Sequence, residues 1–127
     1  MSMNIPNILY HGTSLDYVEG IENQGLIAVN HDKVFLTADI HVAYEYAMKR
    51  VSHPQSNTFQ PVICAVYTTE LVNRYNHIFD YNDLTQEWTT EFVPNHFILQ
   101  IAVESEDELQ EVAEYANNSC YSVRSVS

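Results

Sequence analysis

The sequence predicts a single α+β domain built on an antiparallel or mixed sheet, and three observations carry that expectation. About five short runs have the β-branched and aromatic character of strands, while two early segments and one late one carry apolar residues at helical spacing. Runs of the two kinds are interleaved without an internal repeat. At 127 residues, 46% of them hydrophobic, the chain has material for one core and not for two domains.

Ile8-Leu9-Tyr10 is a β-prone run that stops at His11-Gly12-Thr13, where glycine permits a tight turn, so a strand followed by a loop is expected. Leu15, Val18, Ile21 and Glu22 then fall at helical spacing. Thr13 or Ser14 can cap that helix, Asp16 suits its first turn and Gly25 marks its end. Residues 26–29 and 34–37 read as short strands joined by a polar turn over 30–33. Asp39 caps a second helix over 40–51, with Ile40, Ala43, Tyr44 and Ala47 on one face and Tyr46 off it.

Residues 52–60, with Pro54 and small polar side chains, form an exposed loop, and 62–68 is the candidate central strand, with Cys64 inside it as a core residue. Residues 69–86 alternate between polar and aromatic and fit no one element; an irregular connection of this length is often functional. Residues 87–93, closed by Pro94, are β-like, and 97–103 is a further strand. Ser105 and Glu108 make a capping box for a last helix whose apolar face is Leu109, Val112, Ala113 and Ala116.

Charge narrows the function classes. Five Lys+Arg against 17 Asp+Glu give a formal charge of −12, a field that repels polyphosphate chains and so disfavours nucleic-acid binding. The same field suits a basic protein partner, or serves solubility alone. No apolar run reaches the roughly 18 residues of a membrane span and the N-terminus has no signal-peptide character, so a cytoplasmic protein with no membrane partner is expected. Cys64 and Cys120 lie far apart and read as free thiols. Outside His11 the histidines, His31, His41, His53, His77 and His96, show no paired ligand spacing, so no metal is expected. Phosphate-loop and Rossmann glycine motifs do not occur.

The chemistry-bearing segment is the first third. At a strand-to-helix junction such as Tyr10-His11-Gly12-Thr13, backbone N–H groups, a glycine, a hydroxyl and an imidazole face one concavity, which suits a small polar ligand. Several blocks extend this. Leu9-Tyr10-His11-Gly12-Thr13, Gly20-Ile21, Gln24-Gly25-Leu26, Val34-Phe35-Leu36-Thr37-Ala38-Asp39 and Ala43-Tyr44-Glu45-Tyr46-Ala47 follow one another in an order that resembles the NAD-binding half of the ADP-ribosyltransferase superfamily. Order and spacing are similar to the poly(ADP-ribose) polymerase and rifampin ADP-ribosyltransferase branches. Thr89-Thr90-Glu91-Phe92-Val93-Pro94 looks like the family's catalytic glutamate with its following strand, and Trp88 to Ile98 is similar to the W-x-T-x-x-V-P segment of the tRNA 2′-phosphotransferase branch. The resemblance spans about Leu9 to Val103.

The resemblance implies a single ADP-ribosyltransferase-like domain over 1–127, a split β-sheet with flanking helices that binds NAD as its substrate and breaks the nicotinamide–ribose bond. His11 would touch a ribose hydroxyl, the Gly12 backbone would hold the nicotinamide amide, and Thr13 and Thr37 would add cofactor contacts. Tyr44 and Tyr46 compete to stack on nicotinamide, with Tyr46 preferred because Tyr44 lies on the core stripe. Glu91 would stabilise the oxocarbenium-like ribose left by nicotinamide and orient the nucleophile. Catalysis is thus expected from Glu91, His11 and Tyr46, with ADP-ribose passing to a macromolecular acceptor, a basic protein by charge.

Three departures qualify this. The third-strand Arg and His pair of the tRNA phosphotransferases is missing from Val34-Phe35-Leu36-Thr37, which disfavours 2′-phosphate removal. Thr89 stands where toxin branches place Gln or Glu, which disfavours transfer to arginine. Outside the tail, the cations available for the pyrophosphate are Lys33, Lys49, Arg50 and Arg74. The small size fits a bacterial or phage effector or toxin. A non-catalytic acidic protein that occupies a basic partner surface is the rival expectation.

Overall fold

The computed structural model describes residues 4–28, 33–54 and 56–119. In chain order these form strand β1 (Ile8–Ser14), helix α1 (Val18–Gln24), β2 (Leu26–Ile27), β3 (Val34–Leu36), α2 (Ile40–Val51), β4 (Pro61–Tyr67), α3 (Thr68–Tyr75), β5 (Asp80–Asn82), β6 (Glu87–Thr90), β7 (Phe92–Val93), β8 (Ile98–Ala102) and α4 (Leu109–Asn118). The fold is α+β, with strands paired antiparallel throughout in the orders β1-β4-β8, β3-β6-β5 and β2-β7. The expected turn over 30–32, Val29, His31 and Cys120 lie outside the described residues.

The β1-β4-β8 sheet is the middle layer because β4 is apolar on both faces and is buried at every position. One face packs Ile8, Tyr10, Ile63 and Ala65 against Ile40, Ala43 and Ala47 of α2 and Leu109, Val112 and Ala116 of α4. The other face packs Leu9, Cys64 and Val66 against Val34, Leu36 and Trp88 of the second sheet, with Ile21 of α1 and Leu71 of α3. Cys64 is buried and free, and burial pushes its thiol up to about 12. No helix among the described residues is long and apolar enough to cross a membrane.

Four sequence expectations need correction. His11-Gly12-Thr13 is strand rather than loop, pairing with Cys64, Ile63 and Val62. Gly12 is required for another reason than a turn: a Cβ there would lie 1.9 Å from the Ala43 carbonyl oxygen and 2.7 Å from the Ala47 nitrogen, so α2 can rest on β1 only where β1 has no side chain. Residues 69–86 hold most of α3 and all of β5. The stretch 87–93 is two strands, broken at Glu91 where the chain leaves β3 and turns to pair with β2. Gly25 does end α1, at φ 79. The capping box of Ser105 and Glu108 is formed, opening a short 3-10 turn before α4.

Candidate functional site

Among the described residues the two larger sheets are hydrogen-bonded to each other at the Tyr10–Thr37 bridge and diverge beyond it. Tyr10 donates its N–H to the Thr37 carbonyl (2.7 Å) and accepts from the Thr37 N–H (2.9 Å), which ties β1 to the end of β3. Past Tyr10, β1 is an edge strand and a cleft opens along it. Backbone groups alternate direction with period two, so the N–H and C=O of Gly12 face the same open edge as those of Tyr10. A donor and an acceptor side by side are what a carboxamide needs.

His11 sits at the mouth of this opening. Its Nδ1 lies 2.9 Å from the Phe35 carbonyl oxygen, which can only accept, so Nδ1 carries the proton and Nε2 of the neutral ring presents a lone pair. Burial holds the imidazole below the usual histidine value, and the nearby Arg50 charge adds to that, against the opposing pull of the Phe35 hydrogen bond.

α2 closes one side. Asp39 caps it by accepting from the His41 N–H (2.9 Å), while Thr37 Oγ1 accepts from the Asp39 N–H (3.0 Å). Tyr46, Lys49 and Arg50 fall at i, i+3 and i+4 on α2, so a polar stripe beside the apolar one lines the cleft, and His53, just past the end of the helix, joins it there. Tyr46 donates its hydroxyl to Glu87 Oε1 at 2.5 Å, and this bond to a buried carboxylate holds the phenol above its ordinary pKa. The Lys49 ammonium is 5.3 Å from the centre of the Tyr46 ring.

The cleft has a volume of about 300 Å³, at the small end for ligand sites. It brings together four of the expected residues, His11, Gly12, Thr37 and Tyr46, and joins to them Glu87, Lys49 and Arg50. Two of the four described cations thus stand in one place on an otherwise acidic chain. Tyr44 is outside it, half-buried against the α2 core face, and buried Thr13 lines a neighbouring depression.

Glu91 is also outside. It lies four residues beyond Glu87, about 13 Å along a strand, and lines a separate hollow with Lys33, His77 and Tyr75. There its side chain, 83% exposed, pairs with Lys33 at 3.3 Å. The cleft carboxylate is Glu87, which begins β6 opposite Asn82 and is 8% exposed.

Sequence reasoning missed Glu87 and Phe35. A glutamate opening a β-like stretch is all the sequence offers, since its partner Tyr46 is 41 residues away and nothing local announces the pair. The stripe at 46, 49 and 50 was legible once the apolar stripe was assigned, whereas His53 fell in the loop expected over 52–60.

No family model matches the chain. It is similar to a probable RNA 2′-phosphotransferase of Fusobacterium nucleatum subsp. nucleatum, with 34% identity over 93 residues, 73% of this chain and 47% of that protein. The chain therefore spans about half the length of the curated relative it matches, at the distance of a family-level likeness.

Proposed function

We propose that the chain is an NAD-dependent transferase domain that breaks the nicotinamide–ribose bond in the cleft of His11, Tyr46 and Glu87 and passes ADP-ribose to a macromolecular acceptor. The observation that carries this reading is the juxtaposition in one cleft of a buried carboxylate held by a tyrosine hydroxyl, a neutral imidazole with its Nε2 lone pair available, and a bare strand edge at Gly12. The similarity to a named 2′-phosphotransferase supports it.

Each group has a task. The Gly12 N–H and C=O pair with the nicotinamide carboxamide, and His11 Nε2 accepts from a ribose hydroxyl. The Tyr46 ring covers nicotinamide. As the C1–N bond breaks, its electron pair leaves with neutral nicotinamide and positive charge grows on the ribose, where the Glu87 carboxylate opposes it. An acceptor oxygen or nitrogen forms the new bond to C1, and its proton passes to Glu87. Glu87, in place of Glu91, is assigned the carboxylate role.

The acidic surface favours a basic protein as acceptor. A second reading has its own support: the relative is named for RNA 2′-phosphate transfer, and a 2′-phosphate oxygen can displace nicotinamide by the same step. The third-strand Arg and His are absent, yet Lys49 and Arg50 place two cations in the cleft from α2.

The test is nicotinamide release from NAD, with no acceptor, with cell lysate, and with a 2′-phosphorylated RNA oligonucleotide. Release that rises with lysate protein supports protein transfer, and release that rises with the oligonucleotide supports the second reading. No release in any arm, without NAD binding, rejects both.

A further inference from the structure

The cleft does not end at Arg50. Arg50 also lines two adjoining depressions of about 260 Å³ each. Asp16 and Tyr17 stand on the walls of both. The Arg50 guanidinium lies 5.3 Å from the centre of the Tyr17 ring, a stacking partner that fixes it in place while leaving its N–H edge to bind. Asp16 is fixed as well: its Oδ2 accepts from Ser56 Oγ (2.8 Å), Ser14 Oγ (3.1 Å) and the Asn57 N–H (3.3 Å). These bonds, the one from Ser56 above all, hold its carboxyl below the usual carboxylate range.

We propose that Arg50 grips the pyrophosphate of a dinucleotide lying across this junction, and that Asp16 beyond it admits a second ribose bearing a free 2′-hydroxyl and rejects one bearing a 2′-phosphate. The proposal rests on the NAD reading above and adds its selectivity for NAD over NADP. The main cleft, at about 300 Å³, holds the nicotinamide end, and a ligand that extends into either of the two depressions sharing Arg50 passes that residue on the way. Arg50 meets it with a planar donor fork matched to phosphate oxygens. Asp16 then faces the second nucleoside from either side. A fixed carboxylate accepts hydrogen bonds from ribose hydroxyls and repels a phosphate dianion.

The experiment is calorimetric titration of ADP-ribose, 2′-phospho-ADP-ribose and nicotinamide into the wild-type chain, Asp16→Asn and Arg50→Gln, each variant checked by thermal melting. Wild type binds ADP-ribose at least about tenfold more tightly than its 2′-phosphate. Asp16→Asn keeps an acceptor for the serines while removing the charge, and narrows that ratio to about threefold or less. Arg50→Gln weakens both ADP-ribose ligands about tenfold or more and leaves nicotinamide unchanged. Equal wild-type affinity for the two ADP-ribose ligands overturns the proposal without needing a variant and leaves the NAD reading standing. A ratio unmoved by Asp16→Asn, or undiminished ADP-ribose binding in Arg50→Gln, also overturns it. Wild type that binds none of the three overturns the NAD reading itself.

Discussion

Two hollows of this molecule hold the same kinds of side chain, a histidine, a tyrosine, a glutamate and a lysine, and they differ in how those groups are held. The hollow around Glu91 is the larger, about 550 Å³ against 300 Å³, but its glutamate is exposed and its carboxylate is paired with exposed Lys33, a surface pair worth about 0–1 kcal/mol. In the smaller cleft Glu87 is buried, its oxygen held by Tyr46, and the neighbouring backbone edge is pinned by the Tyr10–Thr37 bridge. Volume and residue type do not separate them. Burial, which strengthens electrostatics, and mutual hydrogen bonding, which fixes geometry, do.

The largest contrast is expected between the two carboxylates. Glu87→Gln lowers the rate of nicotinamide release about 100-fold or more, while Glu91→Gln stays within about twofold, because an exposed ion pair contributes little. Comparable losses in both variants would erase the distinction.

Gly12→Ala tests whether the cleft depends on the rigid seat of α2. The added methyl meets backbone at 1.9 Å, so the helix must lift, at a cost of about 3 kcal/mol and a melting temperature lower by about 10 °C. Gly20→Ala, where a Cβ meets nothing within 4 Å, should melt no lower than wild type.

The tyrosines should differ by less. Tyr46→Phe removes the bond that holds Glu87 and is expected to cost about tenfold in kcat, the equivalent of one hydrogen bond. Tyr75→Phe, in the outer hollow, should leave kcat unchanged.

The smallest contrast concerns pH. His11 and His77 are both held below the ordinary histidine value, each chiefly by burial. Below about pH 6.5 the unfolded chain takes up protons that these folded imidazoles refuse. Their stabilisation is therefore complete above that pH and is lost as pH falls towards the folded values. Activity should follow His11 alone, falling by a few-fold as Nε2 gains its proton. His77→Gln should flatten part of the melting profile against pH and leave the rate profile unmoved; a changed rate profile would tie the hollows together.

Much of the framework was legible in the sequence because its signals are local. The Asp39 cap and apolar period of α2, the Ser105–Glu108 box and the unbroken apolar run of β4 each need only a window of about ten residues. What was not legible depends on distant parts of the chain. Gly12 has the look of a turn glycine until Ala43 is laid upon it, and Glu91 has motif neighbours that Glu87 lacks. α3 was hidden because no side chain caps its start and it follows β4 without a break. Of the expected residues, His11 and Gly12 on β1, Thr37 just past β3 and Tyr46 on α2 line the cleft, while Glu91 lies four residues beyond Glu87 in the outer hollow.

The bridge between Tyr10 and Thr37 makes the two sheets a pair of jaws sharing one rivet. Drawing β1 away from the end of β3 has to stretch those two backbone hydrogen bonds. Deuterium uptake at these two amides therefore reports how often the two sheets part at this point, with no substrate present and no reaction to follow.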